Sequence, residues 1–263
     1  MRLRLLLAFA AALAAPAAQA LEDPFPKAAA AYLVIRDGKP LWGAGVERRL
    51  QPASLAKMMT ALLVLEQSAL DEEAVVGSGA AGASGKRIGL KAGDRLRVRD
   101  LLTATVIGSA NDACRALAEH AGKSRERFVE MMNRRARALK LRSTHFADPC
   151  GHDRPGQYST VADLAILAQA LAARPDYLAL SQVKRATIHS LEGREFSFSN
   201  TNALIGRYPG AIGLKSGYTG EAGKCLVALV ERDGARVLLV MLDGSDRWWD
   251  TVTILERAFS ASR

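Results

Sequence analysis

Gln51-Pro52-Ala53-Ser54-Leu55-Ala56-Lys57-Met58-Met59-Thr60-Ala61-Leu62-Leu63-Val64-Leu65 is the stretch around which the rest of the chain is read. Pro52 suits a first helical turn, where its missing N–H costs nothing. From Leu55 to Leu65 nearly every residue is apolar, so this helix has no face fit for water and must be sheathed on all sides. Ser54 and Lys57 stand three apart at its start, which puts them on one helical face with Cβ atoms about 5–6 Å apart. The lysine amine therefore reaches the serine hydroxyl. An ordinary lysine is protonated and useless as a base; burial, or a second cation nearby, would lower its pKa.

The flanking segments supply the sheath. Upstream, Ala29 to Ile35 is an apolar strand, Asp37-Gly38-Lys39-Pro40 a turn, and Leu41-Trp42 a returning strand. Downstream, residues 74–94 are rich in Gly, Ala and Ser and read as loop. Helices are expected over Asp100 to Ile107, Asp112 to His120 and Phe128 to Leu139. A further helix is capped by Ser159 or Thr160 and stopped at Arg174-Pro175. The pattern then shortens to strands over Val183 to Leu191, Arg194 to Ser199, Ala211 to Lys215, Lys224 to Glu231 and Val237 to Leu242. Glu192-Gly193 and Asp233-Gly234 mark hairpin turns. A helix from about Asp246 to Phe259 closes the chain. Strands, helices, strands, helix is an α+β order: one antiparallel sheet formed from both chain ends and flanked by helices, with a helical insert over roughly 66–180.

The chain has 263 residues and a formal charge of +9. Met1-Arg2-Leu3-Arg4, a short apolar run and Ala18-Gln19-Ala20 describe a signal peptide over 1–20. Its removal leaves 243 residues, and loss of Arg2 and Arg4 brings the charge to +7. An exported, basic protein suits an anionic cell wall, although a solvated arginine-rich surface reads equally well. Dispersed basic residues argue against nucleic acid. After Ala20 no apolar run is long enough to span a bilayer, so no stable membrane anchor is expected. Cys114, Cys150 and Cys225 are an odd set and no disulfide framework; Cys114 and Cys225 lie in apolar patterns and read as buried small hydrophobes.

Two further motifs complete a set. Ser109-Ala110-Asn111 lies between two helical stretches, where a hydroxyl and an amide can relay a proton and hold a substrate amide, or simply cap a helix. Lys215-Ser216-Gly217 lies on a strand and offers a cation, a hydroxyl and room for a substrate backbone. Ser181-Gln182-Val183-Lys184 repeats the serine–lysine spacing, but it reads as the start of a strand, where positions i and i+3 face opposite ways. Gly77-Ser78-Gly79-Ala80-Ala81-Gly82 matches a dinucleotide loop without the helix that loop needs, and the four histidines form no metal-ligand pattern, so no cofactor and no metal are expected.

In order and setting, these motifs resemble the low-molecular-mass D-alanyl-D-alanine carboxypeptidases of the penicillin-binding family, serine peptidase family S11. The likeness extends through Gly93-Asp94, Leu141-Arg142-Ser143-Thr144-His145-Phe146, Gln157-Tyr158-Ser159-Thr160 and Tyr218-Thr219. It implies a β-lactamase/transpeptidase-like fold and a peptidase domain over 21–263. It also implies peptidoglycan stem peptides ending in D-Ala-D-Ala as substrate, β-lactams as covalent inhibitors, and a periplasmic or wall-associated enzyme. By the same resemblance Ser54 is the nucleophile, Lys57 its base, and Ser109 with Asn111 the relay. Lys215 and Ser216 hold the substrate carboxylate, with Gly217, Tyr218 and Arg247 beside it; for Arg247 a surface ion pair is the competing reading. Many members add a C-terminal β-rich domain and an anchoring helix, which this chain is read as lacking. That leaves a D,D-endopeptidase as the alternative, with a class A-type β-lactamase or a non-catalytic wall-binding protein further behind; the β-lactamase would need a deacylating glutamate before Tyr158.

Overall fold

Lys57–Gln67 forms α1, and every residue from Lys57 to Val64 is buried, as an all-apolar helix requires. The computed structural model describes residues 22–261; the leader over 1–20 lies outside them. Before α1 come β1 (Ala29–Arg36), β2 (Lys39–Ala44) and a 3₁₀ turn, Ala53–Ala56. After it come β3 (Glu73–Val75), α2 (Ser78–Ala81), β4 (Arg95–Arg97), α3 (Val98–Val106), α4 (Asn111–Gly122), α5 (Arg125–Ala138), α6 (Val161–Ala172) and α7 (Pro175–Ser181). The chain finishes with β5 (Arg185–His189), β6 (Glu195–Ser199), β7 (Ala211–Thr219), β8 (Gly223–Arg232), β9 (Ala235–Gly244) and α8 (Arg247–Ser260).

The main sheet runs β2-β1-β9-β8-β7 and is antiparallel throughout, so both ends of the chain build it. Alternation divides its side chains. Ala31, Leu33, Ile35, Val227, Leu229, Leu238 and Val240 join the core that holds α1 and α6. Tyr32, Val34, Leu226, Ala228, Leu239 and Met241 join the second core with Ile254 and Leu255 of α8. A sheet covered on both faces needs apolar residues at successive positions, which is why β8 and β9 read as near-continuous apolar runs. No helix among the described residues is long and apolar enough to cross a membrane.

Four local expectations need correction. Residues 74–94 are mostly irregular but begin in β3, which pairs with β4, and carry the one-turn α2. The strands expected over 183–199 pair with each other, as the hairpin β5-β6 outside the main sheet. α6 ends at Ala172, before Arg174-Pro175 as expected, but Pro175 then opens the unexpected α7, since a proline at the first helical position loses no hydrogen bond. Ser181 consequently ends a helix instead of starting a strand. The cysteine reading also changes: Cys114 of α4 is bonded to Cys150, at a sequence separation of 36, while Cys225 is free and buried as expected. Thr160 is the residue that caps α6, accepting from Asp163 N at 3.1 Å.

Candidate active site

Ser54 sits in the 3₁₀ turn Ala53–Ala56, directly before α1. Side chains at i and i+3 eclipse in a 3₁₀ turn, so the spacing to Lys57 brings the two groups together. Lys57 Nζ lies 3.0 Å from Ser54 Oγ, 2.7 Å from Asn111 Oδ1 and 2.6 Å from the Cys150 carbonyl oxygen. The lysine is 1% exposed. Burial lowers its pKa to about 7, against the opposing pull of the Asp148 and Asp112 carboxylates. The second-cation effect expected for Lys57 falls instead on Lys215. That ammonium is held well below its ordinary range by burial first, and then by Lys57, Lys86 and Arg247.

Asn111 opens α4, but its side chain does not cap the helix; the N-cap position is Ala110, with no side-chain bond. The amide is oriented instead across the site: Oδ1 accepts from Lys57, and Nδ2 donates to the Ser84 carbonyl at 2.7 Å. Its neighbour Asp112 is fully buried and accepts from the backbone N–H groups of Ile88, Gly89 and Leu90, which anchors the 84–90 loop beside the site. Ser109 lies in the short connection between α3 and α4 with φ 56, a left-handed conformation that a non-glycine residue adopts only where its surroundings hold it. Its Oγ accepts from Lys215 Nζ at 2.9 Å. The helix, the inter-helix loop and the β7 strand thus meet, and the chain of contacts runs Ser54–Lys57–Asn111 on one side and Ser109–Lys215 on the other.

Ser54, Ser109 and Asn111 line a groove of about 620 Å³, with Lys57 and Lys215 buried behind them. Ser216 faces it and donates to Thr201 Oγ1 at 3.0 Å; Tyr218, 65% exposed, stands at its rim. Gly217 also makes room within the protein. A Cβ there would stand 3.0 Å from both Ala53 Cβ and Ser54 N, so the space serves the serine turn. Arg247 makes no ion pair among the described residues. Its Nη1 donates to the carbonyls of Gly217 at 2.5 Å and Cys225 at 3.2 Å, and its guanidinium covers the Trp248 ring. It braces the β7 end of the groove.

Several groove residues escaped the sequence reading. Thr201, Lys86, Cys150 and His152 line the groove from loops with no motif to mark them. Behind them lies Asp148, 1% exposed, whose Oδ1 accepts from the backbone N–H of Cys150 and lies 3.0 Å from His152 Nδ1. Burial would raise this carboxyl, but the His152 imidazole and the backbone N–H groups of Cys150 and His152 outweigh it and hold the pKa below the usual range. Asp148-Pro149-Cys150-Gly151 looked like a plain loop because its partners are on α1 and α4.

Comparison with known proteins agrees with this geometry. The family model for D-alanyl-D-alanine carboxypeptidases matches residues 18–246. D-alanyl-D-alanine carboxypeptidase DacF of Bacillus subtilis is 36% identical over 89% of this chain, and the chain spans 62% of that protein's length. DacB2 of Mycobacterium tuberculosis is 32% identical over 88% of the chain and 82% of its own length. Among solved structures, a D-alanyl-D-alanine carboxypeptidase from Mycobacterium tuberculosis superposes with a TM-score of 0.85 at 30% identity, covering 93% of this chain and 96% of that one. A point mutant of the Streptomyces K15 DD-transpeptidase gives 0.83 at 29% identity, over 89% and 99%. With the serine turn, the buried lysine and the β7 motif in one groove, the chain belongs to peptidase family S11, the D-alanyl-D-alanine carboxypeptidases.

Proposed function

We propose that this protein is an exported serine D-Ala-D-Ala carboxypeptidase that trims peptidoglycan stem peptides through a Ser54 acyl-enzyme. One observation carries the reading: the Lys57 amine has two carbonyl acceptors and the Ser54 hydroxyl around it. A neutral amine has two N–H groups and one lone pair. Asn111 and Cys150 take the two N–H groups, which leaves the lone pair aimed at Ser54. With a pKa near 7, the neutral form is available at neutral pH.

The steps follow from that arrangement. Ser54 Oγ attacks the carbonyl carbon between the two D-alanines as its proton passes to Lys57. The developing oxyanion meets the backbone N–H groups of Ser54 and Tyr218, on the two segments that Gly217 lets approach each other. Ser109, held by Lys215, delivers a proton to the departing D-alanine amine. Ser216 and Arg247 line the β7 end of the groove, with the Lys215 amine buried behind them, and their hydroxyl and guanidinium suit the terminal carboxylate. Water then cleaves the Ser54 ester. A β-lactam reacts at the same hydroxyl. Export rests on the leader pattern, and a Cys114–Cys150 disulfide suits the oxidising periplasm or cell surface.

Labelling with a fluorescent penicillin tests the nucleophile. The wild type is expected to carry a stable adduct and Ser54→Ala none; an adduct on the variant would remove Ser54 from the role. Incubation with a pentapeptide monomer and with a cross-linked dimer tests the substrate. Release of D-alanine from the monomer alone supports the carboxypeptidase, and cleavage of the dimer supports the endopeptidase. The likeness to the Streptomyces DD-transpeptidase favours a second outcome for the acyl-enzyme, transfer to an amine. Adding a D-amino acid to the pentapeptide assay detects it as an exchanged product.

A further inference from the structure

We propose that the Cys114–Cys150 disulfide positions Lys57, by holding the Cys150 carbonyl against the lysine amine. The proposal rests on the serine–lysine reading above and goes beyond it. The geometry is a closed ring. Lys57 Nζ is 2.7 Å from Asn111 Oδ1 and 2.6 Å from Cys150 O. Asn111 opens α4, Cys114 follows one turn later, and Cys114 is bonded to Cys150. Both acceptors of the amine therefore belong to one covalent frame, although they lie 39 residues apart in the chain.

The Cys150 segment needs such a frame. Residues 147–157 contain no helix or strand, so no regular hydrogen-bond ladder holds them. Toward α1 the segment is well fitted: Thr60 Oγ1 donates to Pro149 O at 2.6 Å. Gly151, at φ +84, lies so close that a Cβ there would overlap the Ala53 carbonyl. Toward α4 the non-covalent contacts are longer. Arg115 Nη2 is 3.9 Å from Asp148 Oδ2, and His152 Nε2 is 3.2 Å from Asn111 Nδ2. The disulfide is the firm tie on that side.

Loosening the tie acts on Lys57 twice. The amine loses one of the two acceptors that aim its lone pair at Ser54. Water also reaches a group whose low pKa comes from burial, so the pKa returns toward that of an ordinary lysine. The charged groups facing the amine are Asp148 on the same loop, Asp112 on α4 and Lys215 on β7, and the variant keeps all three residues.

The test is the Cys114→Ser/Cys150→Ser variant, which keeps the main-chain carbonyl of position 150 and removes only the bond. Its rate of acylation by fluorescent penicillin is measured against pH beside the wild type, at a temperature where circular dichroism shows both folded. The expected result is a fall of about ten-fold or more at neutral pH. The acid limb of the profile is expected to move upward by about half a pH unit or more. A lower melting temperature with unchanged rate and limb would show a merely structural bridge and overturn the proposal. Should the double variant not fold, Cys114→Val, which refills the volume, is read in the same way. A wild type that is not acylated at all would overturn the serine–lysine reading itself, whereas equal acylation of wild type and variant overturns only the positioning role.

Discussion

Two serine–lysine pairs with identical spacing lie in this chain, and only one has the surroundings of a catalytic pair. Ser54 and Lys57 join a 3₁₀ turn to a buried helix, and their side chains meet at 3.0 Å. Ser181 ends α7, where its Oγ donates to the carbonyls of Ile212 at 2.7 Å and Leu178 at 3.1 Å; Lys184 is exposed. The first serine faces a groove, while the second ties a helix end to β7. Spacing is therefore a weak signal. What makes a lysine a base is the removal of water around its amine and carbonyl oxygens to take its N–H groups.

The largest contrast is expected at the serines. Ser54→Ala should lower penicillin acylation and D-alanine release by about 10⁴-fold or more. Ser181→Ala should leave both within about two-fold while costing about 1–3 kcal/mol of stability, because the Ile212 carbonyl loses its donor. Turnover and thermal melting on the two proteins check this, and equal losses of activity would erase the distinction. Next come the lysines. Lys57→Ala should cost about 10²–10⁴ in acylation rate, and Lys184→Ala should change stability by no more than about 0.5 kcal/mol and activity not at all.

pH is the third handle. As the proposed base, Lys57 works only when neutral, and burial lowers its pKa to about 7. Acylation should therefore rise with pH through about 7 and fall roughly ten-fold per unit below it. A stopped-flow profile with a limb near that of an ordinary lysine would show that burial does not tune the amine. The smallest effect is expected at Gly217→Ala. The added Cβ would press on Ala53 and Ser54 N at 3.0 Å, so acylation should slow several-fold with little change in melting temperature. Unchanged kinetics would free that glycine from its role in seating the serine turn.

Much of the architecture is legible because it is written in short-range patterns. An apolar run with no polar face made α1 the central helix, and alternating or continuous apolar segments made β1, β7, β8 and β9. The Asp233-Gly234 turn, with both residues at positive φ, joins β8 to β9 as a hairpin dipeptide should. What was illegible depends on remote partners. The β5-β6 hairpin carries the same alternation as the main sheet, and nothing local says that it pairs elsewhere. Cys114 sits in an apolar helical pattern, so only the fold reveals Cys150 beside it. His152, Thr201 and Asp148 belong to loops whose chemistry appears once α1, α4 and β7 converge.

The sequence by itself determined which groups were available: a serine and a lysine one turn apart, a second hydroxyl and amide, and a strand-borne lysine, in an order that resembles one family. Tertiary structure decided what those groups are. The acceptors that aim the Lys57 amine come from 54 and 93 residues further along the chain, and the layers that keep it dry come from both chain ends. Burial and hydrogen bonding are set by neighbours in space, so a lysine's pKa cannot be read from the residues next to it in the chain.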